Sequence, residues 1–141
     1  MPGLNRVYYN GDYWPELINS VYESELLKWI EERIWLVPLF PRHKTYDVLA
    51  NTSISKNIVE QLSRAADYCW QAILSKDIHA WGKASVSSFE AQFSMIPNMV
   101  SPEILSVLEE YKSSVCGWKM SGAGGGGYLV FISENPITNA I

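Results

Sequence analysis

The sequence predicts an α+β domain in which helices pack on one face of an antiparallel sheet. Short aromatic and β-branched stretches without helical period stand near both ends of the chain, at residues 5–18, 34–37, 118–120 and 128–132. Between them run long segments whose apolar residues recur every third or fourth position. Pro, Gly and Ser/Asp signals separate the two kinds of segment, and the last two strands flank a run of glycines.

The elements follow in order. Residues 5–18 read as a strand pair turning at Asn10-Gly11, a dipeptide that accepts positive φ. Ser24 is a candidate cap for a helix through about Arg33, with Leu26, Leu27 and Ile30 on one face. Ile34–Val37 is then extended, and Pro38 and Pro41 end the run. From Ser55 to Leu74, Ile58, Leu62, Ala65, Cys69 and Ile73 form one buried stripe of a long helix. Asp77 caps the next, where Ile78, Trp81, Ser85, Phe89, Gln92 and Ile96 make a stripe with polar members. That mixture predicts a side facing a cleft, and Pro97 closes the helix. Ser101-Pro-Glu103 sets a cap, a first-turn proline and an acid in the order that opens a helix, here running towards Gly117. Trp118–Met120 and Tyr128–Ile132 are the strands around the glycines.

Composition bounds the function. A chain of 141 residues fits one domain and buries roughly two-thirds of its unfolded surface. With 48% hydrophobic and 13% aromatic residues, including six Trp and eight Tyr, it is not disordered. Some rings are expected to cover a surface meant for a partner, and left bare they would drive self-association. A net charge of −4 with eleven scattered Lys and Arg argues against nucleic acid. No apolar run reaches the roughly 18 residues of a membrane span and no basic or apolar leader opens the chain, so a soluble cytoplasmic protein is expected. Cys69 and Cys116 share no metal-ligand spacing and are expected as buried free thiols.

Ser121-Gly-Ala-Gly-Gly-Gly-Gly127 places five glycines in the six residues from Gly122. Successive unobstructed amides can form a concave anion site, and missing Cβ atoms admit a phosphate or another backbone. The same run also reads as a flexible hairpin turn. Gly122, Gly124 and Gly127 match the spacing of the dinucleotide fingerprint, but a strand follows where that motif needs a helix. No Gly-Lys-Ser/Thr closes the run as a Walker loop would require.

Lys119–Gly127 followed by an apolar strand resembles the C-terminal glycine-rich motif of the GHMP small-molecule kinases, which include galactokinase, homoserine, mevalonate and phosphomevalonate kinases. Pro41–Leu49, Ala65–Ile73, Ser88–Gln92 and Pro97–Met99 resemble the sugar-kinase branch, relatives of heptose-phosphate and fucose kinases. The likeness covers most of residues 4–133. It implies a ferredoxin-like C-terminal domain, incomplete at both ends, without the N-terminal domain whose Gly-Leu-Gly-Ser-Ser-Ala type loop wraps the ATP phosphates. It further implies ATP and Mg²⁺ as cofactors of the complete kinase, a sugar or sugar phosphate as substrate, and the missing domain as partner in cis or in trans. Ser121, Gly122, Ala123, Gly124, Gly125, Gly126 and Gly127 would lie near the transferred phosphate. No catalytic residue is named, and the chain alone is expected to be inactive. The alternative is a non-catalytic module that keeps the fold and uses a cleft for a metabolite, or an open sheet edge for a homodimer.

Other residues leave their readings open. Arg42 suits a phosphate or carboxylate ligand, or is a solvated loop arginine or ion-pair member. Gln92, in the apolar stripe, is a buried hydrogen-bonding residue or a substrate contact, while Glu90 points elsewhere because residues two apart diverge by about 200°. Lys119 meets a phosphate or stays solvated at a strand end. Asp47 reads as a turn or capping residue and His79 as a surface residue. His43, in the loop with Arg42, stays open, and neither histidine has neighbours that make a triad.

Overall fold

The computed structural model describes residues 2–141. β1 (Leu4–Tyr8) pairs antiparallel with β2 (Leu17–Val21), Val7 opposite Ile18. Asn10-Gly11 lies inside the longer connection of residues 9–16 rather than forming a two-residue turn. A two-residue turn would have put Pro15, which has no N–H, into the second strand. The strand instead begins after it, and the Glu16 amide closes the loop on the Tyr8 carbonyl at 2.8 Å.

α1 spans Ser24–Glu31. Glu23 is its N-cap without a side-chain cap bond, so Ser24 is the first helical residue and not the cap. β3 (Ile34–Pro38) follows, then α2 (Lys56–Leu74), α3 (Ile78–Met95), a 3₁₀ turn (Pro97–Met99) and α4 (Pro102–Tyr111). β4 (Gly117–Met120) and β5 (Tyr128–Ile132) complete an antiparallel sheet of order β3-β5-β4. The chain is thus α+β, and its described residues form antiparallel strands and four α-helices, the strands divided between a pair and a three-stranded sheet.

The helix starts expected at Ser55, Asp77 and Ser101 are side-chain caps. Ser55 Oγ accepts from the Ile58 amide at 3.3 Å, Asp77 Oδ1 from Ala80 at 2.9 Å and Ser101 Oγ from Ile104 at 3.3 Å. Each satisfies a first-turn N–H that has no intrahelical partner. Asp77→Ala and Ser101→Ala are each expected to cost about 1 kcal/mol. Urea unfolding followed by circular dichroism checks this, and unchanged midpoints would refute it.

Two apolar clusters hold the layers together. Leu129 and Phe131 of β5, fully buried, join Val37, Met120, Phe89, Ile104 and Leu108 in the first. Ile132, on the other side of the same pleated strand, joins Leu26, Ala72, Ile73, Ile78 and Trp81 in the second. Gly82 of α3 lies against Gly117 of β4, so the helix approaches the strand at backbone distance. At the other edge of the sheet, Ile141 exchanges two 2.9 Å backbone bonds with Leu36. The edge left open for a second copy in the sequence reading is therefore partly occupied at β3 by the chain's own last residue. Cys69 and Cys116 are free and half-buried rather than fully buried. Among the described residues no helix is long and apolar enough to cross a membrane.

Candidate functional site

The glycine run connects β4 to β5, and its shape is imposed by two distant segments. The Gly125 amide donates to the Met99 carbonyl at 2.8 Å, and the Gly127 amide to Phe40 at 3.2 Å. Leu39 returns a bond to the Gly127 carbonyl at 2.7 Å. Arg42 Nε donates to the Gly124 carbonyl at 2.8 Å, and the Tyr46 hydroxyl to Ala123 at 2.9 Å. Carbonyls are thereby turned towards the 39–46 segment and held. The flexible turn of the sequence reading is a clamped loop.

Glycine is required where the clamp closes. A Cβ on Gly124 (φ +72°) would stand 2.4 Å from the Met99 carbonyl oxygen, and one on Gly125 (φ +69°) 2.3 Å from the Tyr46 ring. Among the described residues, the amides of Gly122, Ala123, Gly124 and Gly126 donate to no carbonyl or side chain. The amides of Gly125 and Gly127, counted in the sequence reading among the exposed ones, are spent inside the chain.

Arg42 brings the positive charge. Its guanidinium carbon lies 6.0 Å from the Tyr46 ring centre, and Nη2 would be 3.9 Å from a Cβ on Gly122. Among the described residues no carboxylate pairs with it, so it is neither an ion-pair member nor a merely solvated loop arginine. Burial pushes the Tyr46 phenol up, with Arg42 pulling the other way and Asp47 adding to the rise. The phenol therefore stays protonated as the donor to Ala123. An open groove lined by Leu39, Phe40, Arg42, Gly127 and Tyr128 runs beside the loop.

The other expectations sort by position. Asp47 is the predicted turn residue, its Oδ1 accepting from the Leu49 amide at 3.0 Å. Asn98 Nδ2 reaches the Asp47 carbonyl at 3.0 Å and so ties the 3₁₀ turn to the clamp. His43 and His79 are exposed. Glu90 is exposed and Gln92 half-buried, as their spacing requires, but among the described residues Gln92 Oε1 is buried without a hydrogen-bond partner and no bond joins it to the loop. Lys119 stands apart from the loop. It does not border the loop but lines a separate cleft with β1, α2 and α3, because Met120 faces the core and pleating turns Lys119 the opposite way. Tyr46, Met99 and Phe40 were not singled out as loop contacts, although all lie within or beside segments quoted for the resemblance.

Among the described residues no three His, Cys, Asp or Glu side chains gather as a metal site. The loop offers free amides and a guanidinium, a donor set for phosphate oxygens and not for a cation.

Residues 70–140 match the family model described as GHMP kinases C terminal. A solved mevalonate kinase superposes with a TM-score of 0.63 at 19% identity, over 83% of this chain and 37% of that one. A proposed sugar kinase from Campylobacter jejuni superposes with a TM-score of 0.49 at 17% identity, over 84% of this chain and 31% of that one. The chain thus spans about 37% of the length of the mevalonate kinase it resembles. No curated protein matches the chain.

Proposed function

Since the chain belongs to the GHMP kinase C-terminal family, we propose that it is the part of an ATP-dependent sugar kinase that presents the glycine-rich loop to the phosphoryl group in transit. The observation that carries this reading is the clamp, where amides without partners and the Arg42 guanidinium share one loop fixed from 39–46 and Met99. Phosphoryl transfer depends on positioning and on neutralising charge spread over the phosphate oxygens. The loop does the first through its fixed carbonyls and contributes to the second through amides and Arg42. ATP supplies the phosphoryl group and Mg²⁺ neutralises its oxygens when both are bound, and the residues described here fit the phosphate and not the metal.

The acceptor is a sugar or sugar-phosphate hydroxyl, within the heptose-phosphate, fucose and galactose branch. That choice rests on the likeness of Pro41–Leu49 and Ser88–Gln92 to that branch, and Pro41–Leu49 supplies both Arg42 and Tyr46 to the loop. An N-terminal kinase domain, in cis or in trans, completes the site, and an ATP-dependent reaction suits the cytoplasm.

The chain alone is expected to turn over no ATP with a panel of sugars and sugar phosphates, and to do so when mixed with a separately produced N-terminal domain carrying a Gly-Leu-Gly-Ser-Ser-Ala type loop. Coupled ADP release measures both. Turnover by the isolated chain above a Gly125→Val control would overturn the need for a partner.

A second reading is a self-assembling module without catalysis. The hairpin favours it, because Tyr13 and Trp14 are 86% and 75% exposed while packed edge-to-face on each other at 5.0 Å. Light scattering after size exclusion separates the two, since a monomer at all concentrations removes the second.

A further inference from the structure

A second cleft of the molecule does not touch the glycine loop. It holds about 540 Å³ between β1, α2, α3 and β4, within the size of small-molecule sites. Its polar lining gathers from four elements: Arg6 on β1, Asp67 on α2, Ser85 and Ser88 on α3, and Lys119 on β4. Tyr8, Tyr9 and Trp70 add aromatic wall. Ser85 is one of the polar members of the α3 stripe, and the glycine loop leaves it unused.

The charges of the cleft do not balance. Arg6 is neutralised by an ion pair and hydrogen bond to Asp67. Lys119 is half-buried and, among the described residues, its ammonium has no carboxylate within ion-pair distance and donates no hydrogen bond. Cys69 lines the same cleft, and burial pushes its thiol up while Lys119 pulls it down. A protonated thiol is no counter-ion. An anion entering the cleft would meet a cation that has no protein counter-ion. The side chain of Ser85, 4% exposed, is engaged with Cys69, and the hydroxyl of half-buried Ser88 stands in the same wall as a donor for the anion's oxygens.

We propose that this cleft binds a small organic oxyanion, with its phosphate or carboxylate on Lys119 and the Ser88 hydroxyl, and its body against the aromatic wall. The site is separate from the glycine loop, so it stands or falls independently of the kinase reading, which turnover tests.

The test is direct binding to the whole chain. Glucose 6-phosphate, glucuronate, inorganic phosphate and neutral glucose are titrated while amide shifts of Ser85, Ser88, Lys119 and Gly122–Gly126 and the tryptophan fluorescence are followed. The expected result is saturable movement of the cleft amides with at least one of the two sugar anions and none with glucose. Glucose 6-phosphate against glucuronate tells phosphate from carboxylate, and weaker binding of inorganic phosphate shows that the wall contributes. Lys119→Met is expected to weaken binding at least about tenfold, the worth of one charge-assisted hydrogen bond, and Lys119→Arg to retain it. If Lys119→Met fails to fold, Ser88→Phe, which fills the cleft from a half-buried position, should abolish the shifts. Shifts confined to the glycine loop, equal response to glucose, no cleft response to any anion, or full binding in Lys119→Met would each overturn the site.

Discussion

Gly82→Val is expected to destabilise the chain by about 3 kcal/mol or more, beyond the usual range of overpacked substitutions. A Cβ on Gly82 would lie 2.1 Å from the Cys116 carbonyl oxygen, and one on Gly117 would lie 2.2 Å from the Gly82 carbonyl oxygen. Both collisions are with backbone, so no rotamer change relieves them and the helix must back away from the strand. The retreat would pull on the buried neighbours Trp81, Ala84 and Ser85, loosening the second apolar cluster and the wall of the anion cleft together. Against a total stability of roughly 5–15 kcal/mol for a domain, such a loss lowers the unfolding midpoint visibly. Lys83→Ala, one residue on and exposed, is the control and should stay within about 0.5 kcal/mol of the parent. Equal urea midpoints for Gly82→Val and Lys83→Ala would show that the close approach of α3 and β4 is not needed.

Under the proposed function, Gly124→Val is expected to leave the chain folded and to reduce phosphoryl transfer, once the N-terminal domain is supplied, by about 100-fold or more, the scale of losing preorganised donors at a developing charge. The residue has φ of +72°, which a β-branched side chain adopts with difficulty, and its Cβ would enter the Met99 carbonyl that accepts the Gly125 amide at 2.8 Å. The loop would have to leave that anchor and with it the Arg42 bond to Gly124. Gly125→Val should act in the same direction, because the Tyr46 ring must swing away and surrender its bond to Ala123. Gly127→Ala is the milder comparison, since nothing lies within 4 Å of its Cβ and only the positive φ is strained. Full activity in Gly124→Val, with the mutant folded by circular dichroism, would remove the loop from the reaction.

The helix starts at Asp77 and Ser101 and the flanking of the glycines by strands were legible in the sequence, because each depends on residues within about four positions. A cap needs only its own side chain and an amide three residues on. An apolar period of three or four marks one face of a helix wherever it sits, and α2 and α3 follow it. The first helix shows the limit of such signals. A serine followed by an amphipathic run looks like a cap, yet Glu23 already holds the extended backbone that precedes the helix.

The sequence by itself determined the α+β class, the order of the elements and the place of the glycine loop between two strands, since propensity, caps and periodicity are properties of neighbouring residues. Only the tertiary structure decided what the loop touches and where Lys119 points. Arg42 and Gly124 are 82 positions apart, and Tyr46 and Ala123 are 77 apart, so no local pattern records either bond. The division of five strands into two sheets, the contact of Gly82 with Gly117, and the unneutralised lysine in the cleft have the same origin. Each arises when elements with locally fixed shapes bury their apolar faces against one another, and the partner of a buried group is then chosen by packing rather than by sequence distance.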